Sequence, residues 1–435
     1  MSMSRVFLRS RGLAGNIKRN SASPKISLRS LATAINSSSL PQTRLSTLPN
    51  GLTVATEAHP HSQTATVGIW IDSGSRADKH GGTAHFLEHL AFKGTQKRTQ
   101  HSLELEIENL GAHLNAYTSR EQTCYFARSF SSDVPQMVEI ISDILQNSKL
   151  DEGAIDRERS AHEEVVFDHL HAIAFQDEGL GKTILGPKES ILSIQRPDLV
   201  EYIKSNYTAD RMVLVGAGGL EHEVLVQLAE KNFGKVPNIV LSHTSWWQGK
   251  FQTNRLHRCR MELTDLFPML VMQSIFGNWD RSLGSSPLMS SRLSHTLSSN
   301  NLVNSFLSFS TSYSDTGLWG IYLVSENLTN IDDLVFFTLR EWQRMSTAPT
   351  EIEVARAKSQ LKASMLFSLD SSNNIADDIG RQLVTSGRRM TPQEIQAAVE
   401  AKYLWDKDIA VAALGRTEGL LDYNRIRSNM SSLTW

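Results

Sequence analysis

Cysteine is nearly absent: only Cys124 and Cys259 occur among 435 residues. Two thiols so far apart exclude a disulfide scaffold and a cysteine-held metal cluster. Any metal must therefore be held by histidine and carboxylate. Long apolar runs are missing too, so no segment reads as a bilayer-spanning helix, and a soluble or peripheral protein is expected. A net charge of -2 lacks the basic excess that a nucleic-acid partner would require, and none is expected.

Acidic residues are absent from the start of the chain. None precedes Glu57, whereas Arg5, Arg9, Arg11, Lys18, Arg19, Lys25, Arg29 and Arg44 all do. Serine is frequent there, and Val6, Phe7, Leu8, Leu13 and Ile17 can form an apolar stripe. Residues 1–41 are expected to be a mitochondrial targeting presequence with a disordered lead. A plain disordered basic tail is the alternative. Arg29-Ser30-Leu31 before Ala32 marks the expected removal region. The mature location would be the mitochondrial matrix, or the matrix side of the inner membrane as a peripheral protein.

The chain as a whole has the composition of a globular protein, 40% hydrophobic and 21% charged. Its length suggests two domains of about two hundred residues each. Leu45 to Leu48, the Pro49-Asn50-Gly51 turn and Leu52 to Thr56 read as a β-hairpin, and Thr66 to Ser73 as a further strand. Ser102 can cap a helix that Gly111 stops. His113 to Ser119 and Thr123 to Phe130 read as paired strands, followed by an amphipathic helix over Val134 to Gln146 and another from Glu152. Arg211 to Gly219 is a buried strand ending in glycines, and Asp408 to Gly415 repeats the phrase. Two copies of one α+β unit are expected, each a mainly antiparallel sheet packed with helices. The copies would span 42–245 and 246–435, with a polar linker around Leu241 to Asn254.

Chemistry concentrates in Gly81-Gly82-Thr83-Ala84-His85-Phe86-Leu87-Glu88-His89-Leu90. On a helix, residues three and four apart share a face, so His85, Glu88 and His89 stand together. Neutral imidazoles bind zinc, zinc acidifies a bound water, and a neighbouring carboxylate can take its proton. The order His-x-x-Glu-His is that of the inverted zinc peptidases. A chance match on a half-buried helix is the bland alternative. The second half carries no such motif, so it is expected to support rather than catalyse.

Longer phrases extend the match: His85-Phe-Leu-Glu-His-Leu-Ala-Phe-Lys-Gly-Thr95, Glu104 to Glu121, Glu164 to His171, Ile275 to Asp280 and Ser308 to Gly317. On these the chain resembles the pitrilysin/insulinase family of zinc peptidases, in particular its mitochondrial presequence-processing branch. The resemblance covers nearly everything after residue 42. It implies that His85 and His89 bind Zn2+ and that Glu88 is the general base. It places Asn115, Ala116 and Tyr117 on an edge strand to which substrate adds by backbone hydrogen bonds. Phe92 would line a pocket for the residue just after the cut. Glu164 and Asp168 would grip an arginine two residues before it, as carboxylates four apart on one helix can. Strand packing for Asn115 and Tyr117, core for Phe92, and a solvated acidic face for the carboxylates are the plainer readings.

The resemblance also marks a loss. The family's third zinc ligand is a glutamate roughly 76 residues beyond His89, where this chain has Val165. The run before it is about eleven residues short, an axial shift of about 16 Å if helical. Glu158, His162, Glu163 and Glu164 are the nearby substitutes. The run Lys250 to Met261 is likewise too polar for the strand expected there, and a helix is curtailed between Val399 and Leu404. Such clean losses are those of wrongly joined exons, and a transcript reading straight through them would refute that.

Two functions follow. The first is a zinc endopeptidase subunit that removes N-terminal targeting presequences, which are basic and suit an acidic site. The glycine-rich substrate loop of this branch belongs to an α-type subunit and is not evident here, which implies a heterodimer with such a chain. The second is a non-catalytic core subunit of the respiratory cytochrome bc complex, which shares the fold. An intact His85, Glu88 and His89 set favours the first, and the missing glutamate the second.

Overall fold

The structure, a computed structural model, describes residues 42–158, 166–175, 179–238, 263–283, 291–327, 329–347, 349–391 and 394–395. In the first half the strands are β1 (Arg44–Thr47), β2 (Thr53–Ala58), β3 (Thr64–Ile71), β4 (His113–Thr118), β5 (Thr123–Phe130) and β6 (Met212–Gly218). The helices are α1 (Thr83–Ala91), α2 (Gln100–Asn109), α3 (Val134–Asn147), α4 (Glu152–Glu158), α5 (Val166–Ala174), α6 (Lys188–Ser193), α7 (Arg196–Asn206) and α8 (His222–Phe233).

The six strands form one sheet in the order β1-β2-β6-β3-β5-β4. Only β2 and β6 run parallel; the other neighbours are antiparallel. Thr64–Ile71 and Met212–Gly218 are buried almost throughout. Strands covered on both faces read as continuous apolar runs rather than alternating ones, which is why these two were legible. Among the described residues the strand β4 stands at the edge of the sheet, with β5 on one side only.

On one face the core joins Val67, Ile69 and Ile71 to Leu87 and Leu90 of α1, Met137, Ile140 and Ile141 of α3, and Leu225 of α8. The opposite face is covered from the second half. That half contains α9 (Leu263–Phe276), α10 (Arg292–Ser299), α11 (Ile331–Thr347), α12 (Glu351–Ser368) and α13 (Ser372–Ser386). Its own strands β7 (Asn278–Asp280), β8 (Ser305–Ser312) and β9 (Gly317–Val324) form an antiparallel sheet in that order. Phe267, Phe276, Trp319 and Leu361 belong to its core. In α13, Ile375, Ala376, Ile379 and Leu383 make a single stripe that packs on Ala55, Trp70, Cys124 and Val215 of the six-stranded sheet.

The α+β class holds, with mainly antiparallel sheets packed by helices. The hairpin, the paired strands and the helices after Val134 and Glu152 form where the periodicity put them. Ser102 does not cap its helix. Thr99 does, in extended backbone at φ -76°, because its hydroxyl accepts the Ser102 N–H at 3.1 Å. The linker, the polar run over Lys250 to Met261, the curtailed helix and the strand at Asp408 to Gly415 lie outside the described residues.

Candidate metal centre and active site

The helix α1 begins where Gly82 adopts φ 92°, a left-handed value that favours glycine. A β-carbon there would run into the Leu185 carbonyl. The buried Asp78 carboxylate accepts the N–H groups of Gly82 at 2.9 Å and Ala84 at 3.1 Å, satisfying donors that a helix start leaves open. Burial pushes the Asp78 carboxyl up to about 7, against the opposing pull of those donors and of Lys182. Ala84, Phe86, Leu87, Leu90 and Ala91 face the core and leave His85, Glu88 and His89 together on the half-buried side.

The two imidazole rings lie 4.4 Å apart between centroids. His85 Nδ1 stands 3.6 Å from Glu88 Oε2, and one ligand atom from each of the three residues falls within 4.8 Å of the others. Among the described residues this is the one group of three such side chains close enough to hold a metal ion. Glu88 Oε2 is buried without a hydrogen-bond partner among those residues. A buried orphaned carboxylate oxygen is costly unless something completes it. The donor set and the orphaned oxygen therefore fit a divalent metal. Burial would raise the Glu88 carboxyl; the nearby polar groups of His85, Thr118 and His89 outweigh it, so Glu88 sits below the usual range.

Asn115, Ala116 and Tyr117 lie on the edge strand β4. Asn115 is exposed, and its Oδ1 accepts the Ala116 N–H at 2.8 Å. Tyr117 turns to the α13 side, where its hydroxyl donates to Asp377 Oδ1 at 2.6 Å. Phe92, at the end of α1, packs partly buried against the core on the metal side. Asp168 already grips a guanidinium, the chain's own: Arg120 Nη2 donates to its Oδ1 at 2.7 Å. The Ile184 N–H adds a bond at 3.2 Å. Glu164, Val165, His162 and Glu163 lie outside the described residues, as does the side chain of Glu158.

One group was missed from the sequence. The tip of the β8–β9 hairpin reaches the turn between β4 and β5. Arg76, just before α1, donates to Glu121 Oε1 at 2.5 Å and to both Asp315 oxygens at 3.0 and 2.6 Å. The Ser314 N–H donates to Glu121 Oε2 at 2.8 Å, and the Tyr313 hydroxyl lies 2.7 Å from His171 Nε2. The partners stand 45 to 239 residues apart in sequence, beyond any local pattern.

A helix presenting two histidines and a carboxylate, beside an open sheet edge in a two-part α+β fold, defines a metal-dependent peptidase. The chain belongs to the insulinase family, peptidase family M16, whose members are metallopeptidases: residues 53–188 match that family, and residues 193–260 and 258–361 match its inactive domain. The mitochondrial-processing peptidase subunit beta of Lentinula edodes is 59% identical, over 97% of this chain and 100% of its own. That alignment runs to 468 positions although this chain has 435 residues, so segments of the relative have no counterpart here. The subunit of the same name from Saccharomyces cerevisiae is 46% identical over 91% of this chain and 96% of its own. Among solved structures, a chain of "Complex III2 from Candida albicans, Inz-5 bound" superposes with a TM-score of 0.73 at 24% identity, covering 89% of this chain and all of that one. A protease from Helicobacter pylori gives 0.68 at 17%, covering 83% and 94%. At such identities these two share the fold.

Proposed function

We propose that the chain is the catalytic subunit of a mitochondrial processing peptidase that cuts N-terminal targeting presequences from imported proteins in the matrix. The observation that carries this is the convergence of His85, Glu88 and His89 beside the free edge of β4. The relatives' name supports it at 46 to 59% identity. Zinc is the metal that two imidazoles beside a carboxylate suit best. The partner is an α-type subunit in a heterodimer, and the substrates are basic presequence peptides.

His85 and His89 would hold the metal, which would supply Lewis acidity to the scissile carbonyl and to an attacking water. Glu88, ionised at neutral pH, takes the proton from that water and is placed to pass it to the leaving amine. The peptide lies along β4 and adds to the sheet by backbone bonds. Because Asn115 Oδ1 occupies the Ala116 N–H, the incoming strand exchanges that bond for its own carbonyl. Phe92 meets the side chain after the cut. A substrate arginine before the cut binds Glu164 and Asp168 by taking the place of Arg120 at the latter. Glu158, His162, Glu163 and Glu164 are the candidates for a further ligand.

The test is metal stoichiometry and presequence cleavage by the full chain co-expressed with its α-type partner, beside a His85→Ala control. Near one tightly held zinc, lost in the control together with cleavage, is expected. No retained zinc, with the chain co-fractionating with the cytochrome bc complex, would establish the core-subunit role instead.

A further inference from the structure

A crevice of about 180 Å³ lies on the α13 side of the six-stranded sheet, lined by Trp70, Tyr117, Phe126, Asn373, Asn374 and Asp377. Tyr117 belongs to β4, so one wall of the crevice is the edge strand itself. The walls are fixed by hydrogen bonds. Besides Tyr117, the Trp70 indole N–H donates to Asp377 Oδ1 at 3.3 Å, and it reaches the Tyr117 oxygen at 3.1 Å. Asp377 Oδ2 stands 3.6 Å from Arg381 Nη1, so the carboxylate already faces a cation of its own. Three aromatic rings and an answered carboxylate favour an uncharged guest with an apolar body over a lysine or arginine.

Strand geometry says which side chains reach it. Successive residues of a strand point to opposite faces. On β4, Ala116 lies in the core on the α1 side, and Tyr117 packs with the α13-side cluster. A peptide added to the free edge alternates in the same way. Every second side chain points toward the metal helix, and the ones between point toward the crevice.

We propose that this crevice is a substrate subsite for an uncharged aliphatic or aromatic side chain, at the alternate positions that point away from the metal helix. The subsite rests on the peptidase reading above. It is separate from Phe92, which packs on the opposite face of the sheet.

Asn374 is exposed in the first turn of α13, so it can be changed from the surface. The test uses the full chain with its partner subunit and zinc, and peptides with leucine or alanine placed singly at each position around a fixed cut. In the unaltered enzyme, leucine is expected to raise kcat/KM about tenfold over alanine at crevice-facing positions. Asn374→Phe, which fills the crevice, abolishes that ratio at those positions and leaves it at the intervening ones. Asn374→Ala, which enlarges it, shifts preference there from leucine to phenylalanine. Ratios untouched by both variants, or shifted equally at both sets of positions, overturn the subsite and leave the peptidase reading standing. No cleavage by a zinc-loaded unaltered complex overturns that reading and the subsite with it.

Discussion

Gly380 lies against the indole of Trp70 so closely that a β-carbon at this position would overlap the ring. The contact seats α13 on the sheet and brings Asp377, three residues earlier, within reach of the Trp70 N–H. Gly380→Ala gains about 1 kcal/mol of helix propensity, while overpacking of this kind costs about 1–3 kcal/mol. Displacement of α13 should decide the sign, so a lower midpoint in urea unfolding is expected. A variant as stable as the parent would show that the helix shifts without cost.

Glu88→Gln keeps the size of the side chain and removes the proposed base. Zinc content should stay near that of the parent while kcat falls by about 10²–10⁴-fold. His89→Ala should lose the metal itself. Retained activity in the glutamine variant would assign the proton transfer to another group.

The hairpin tip that meets Arg76 couples the two halves at the site. Arg76 and Glu121 are largely buried, with side chains 12% and 11% exposed, and Asp315 is 30% exposed. Asp315→Asn leaves part of the Arg76 charge unanswered. A loss of about 1–3 kcal/mol is expected after allowing for the partial exposure of Asp315. Because Glu121 sits in the turn of the β4–β5 hairpin, KM for presequence peptides should rise more than kcat falls. Unchanged kinetics alongside lowered stability would make the contact purely structural.

Asp78 gives the metal helix a pH dependence. Its folded value, about 7, lies above the ordinary 3.8, so the native state holds a proton that the unfolded chain has lost. Its contribution to stability is therefore complete below about pH 4 and disappears as pH rises through 7. In Asp78→Asn the group stays neutral, so the melting temperature of the variant relative to the parent should climb between pH 5 and pH 8. Parallel curves across that range would show that Asp78 does not titrate there.

Much of this was legible because the signals are local. His85, Glu88 and His89 need only a helix to meet, and the apolar run through Ile69 and Ile71 needs only a strand. One reading went astray, the helix cap. Thr99 and Ser102 both offer a hydroxyl near the same helix start, and only backbone geometry decides between them. The pairing of Asp168 with Arg120 was not legible, because Arg120 comes from a turn 48 residues earlier. The Arg76 cluster and the packing of α13 on Trp70 join residues hundreds of positions apart, and composition carries no trace of such pairings.

The position of β6 has a consequence for how the chain assembles. This strand lies between β2 and β3 in the sheet, yet it is the last of the six to leave the ribosome or enter an organelle. Before residue 218 arrives, no described strand pairs the β1–β2 hairpin with the β3-β5-β4 group. Closing the sheet means bringing together strands more than 140 residues apart, a slow step of high contact order. Until then both fragments expose unpaired backbone on the very edges that β6 will fill, and a chaperone has its natural target there.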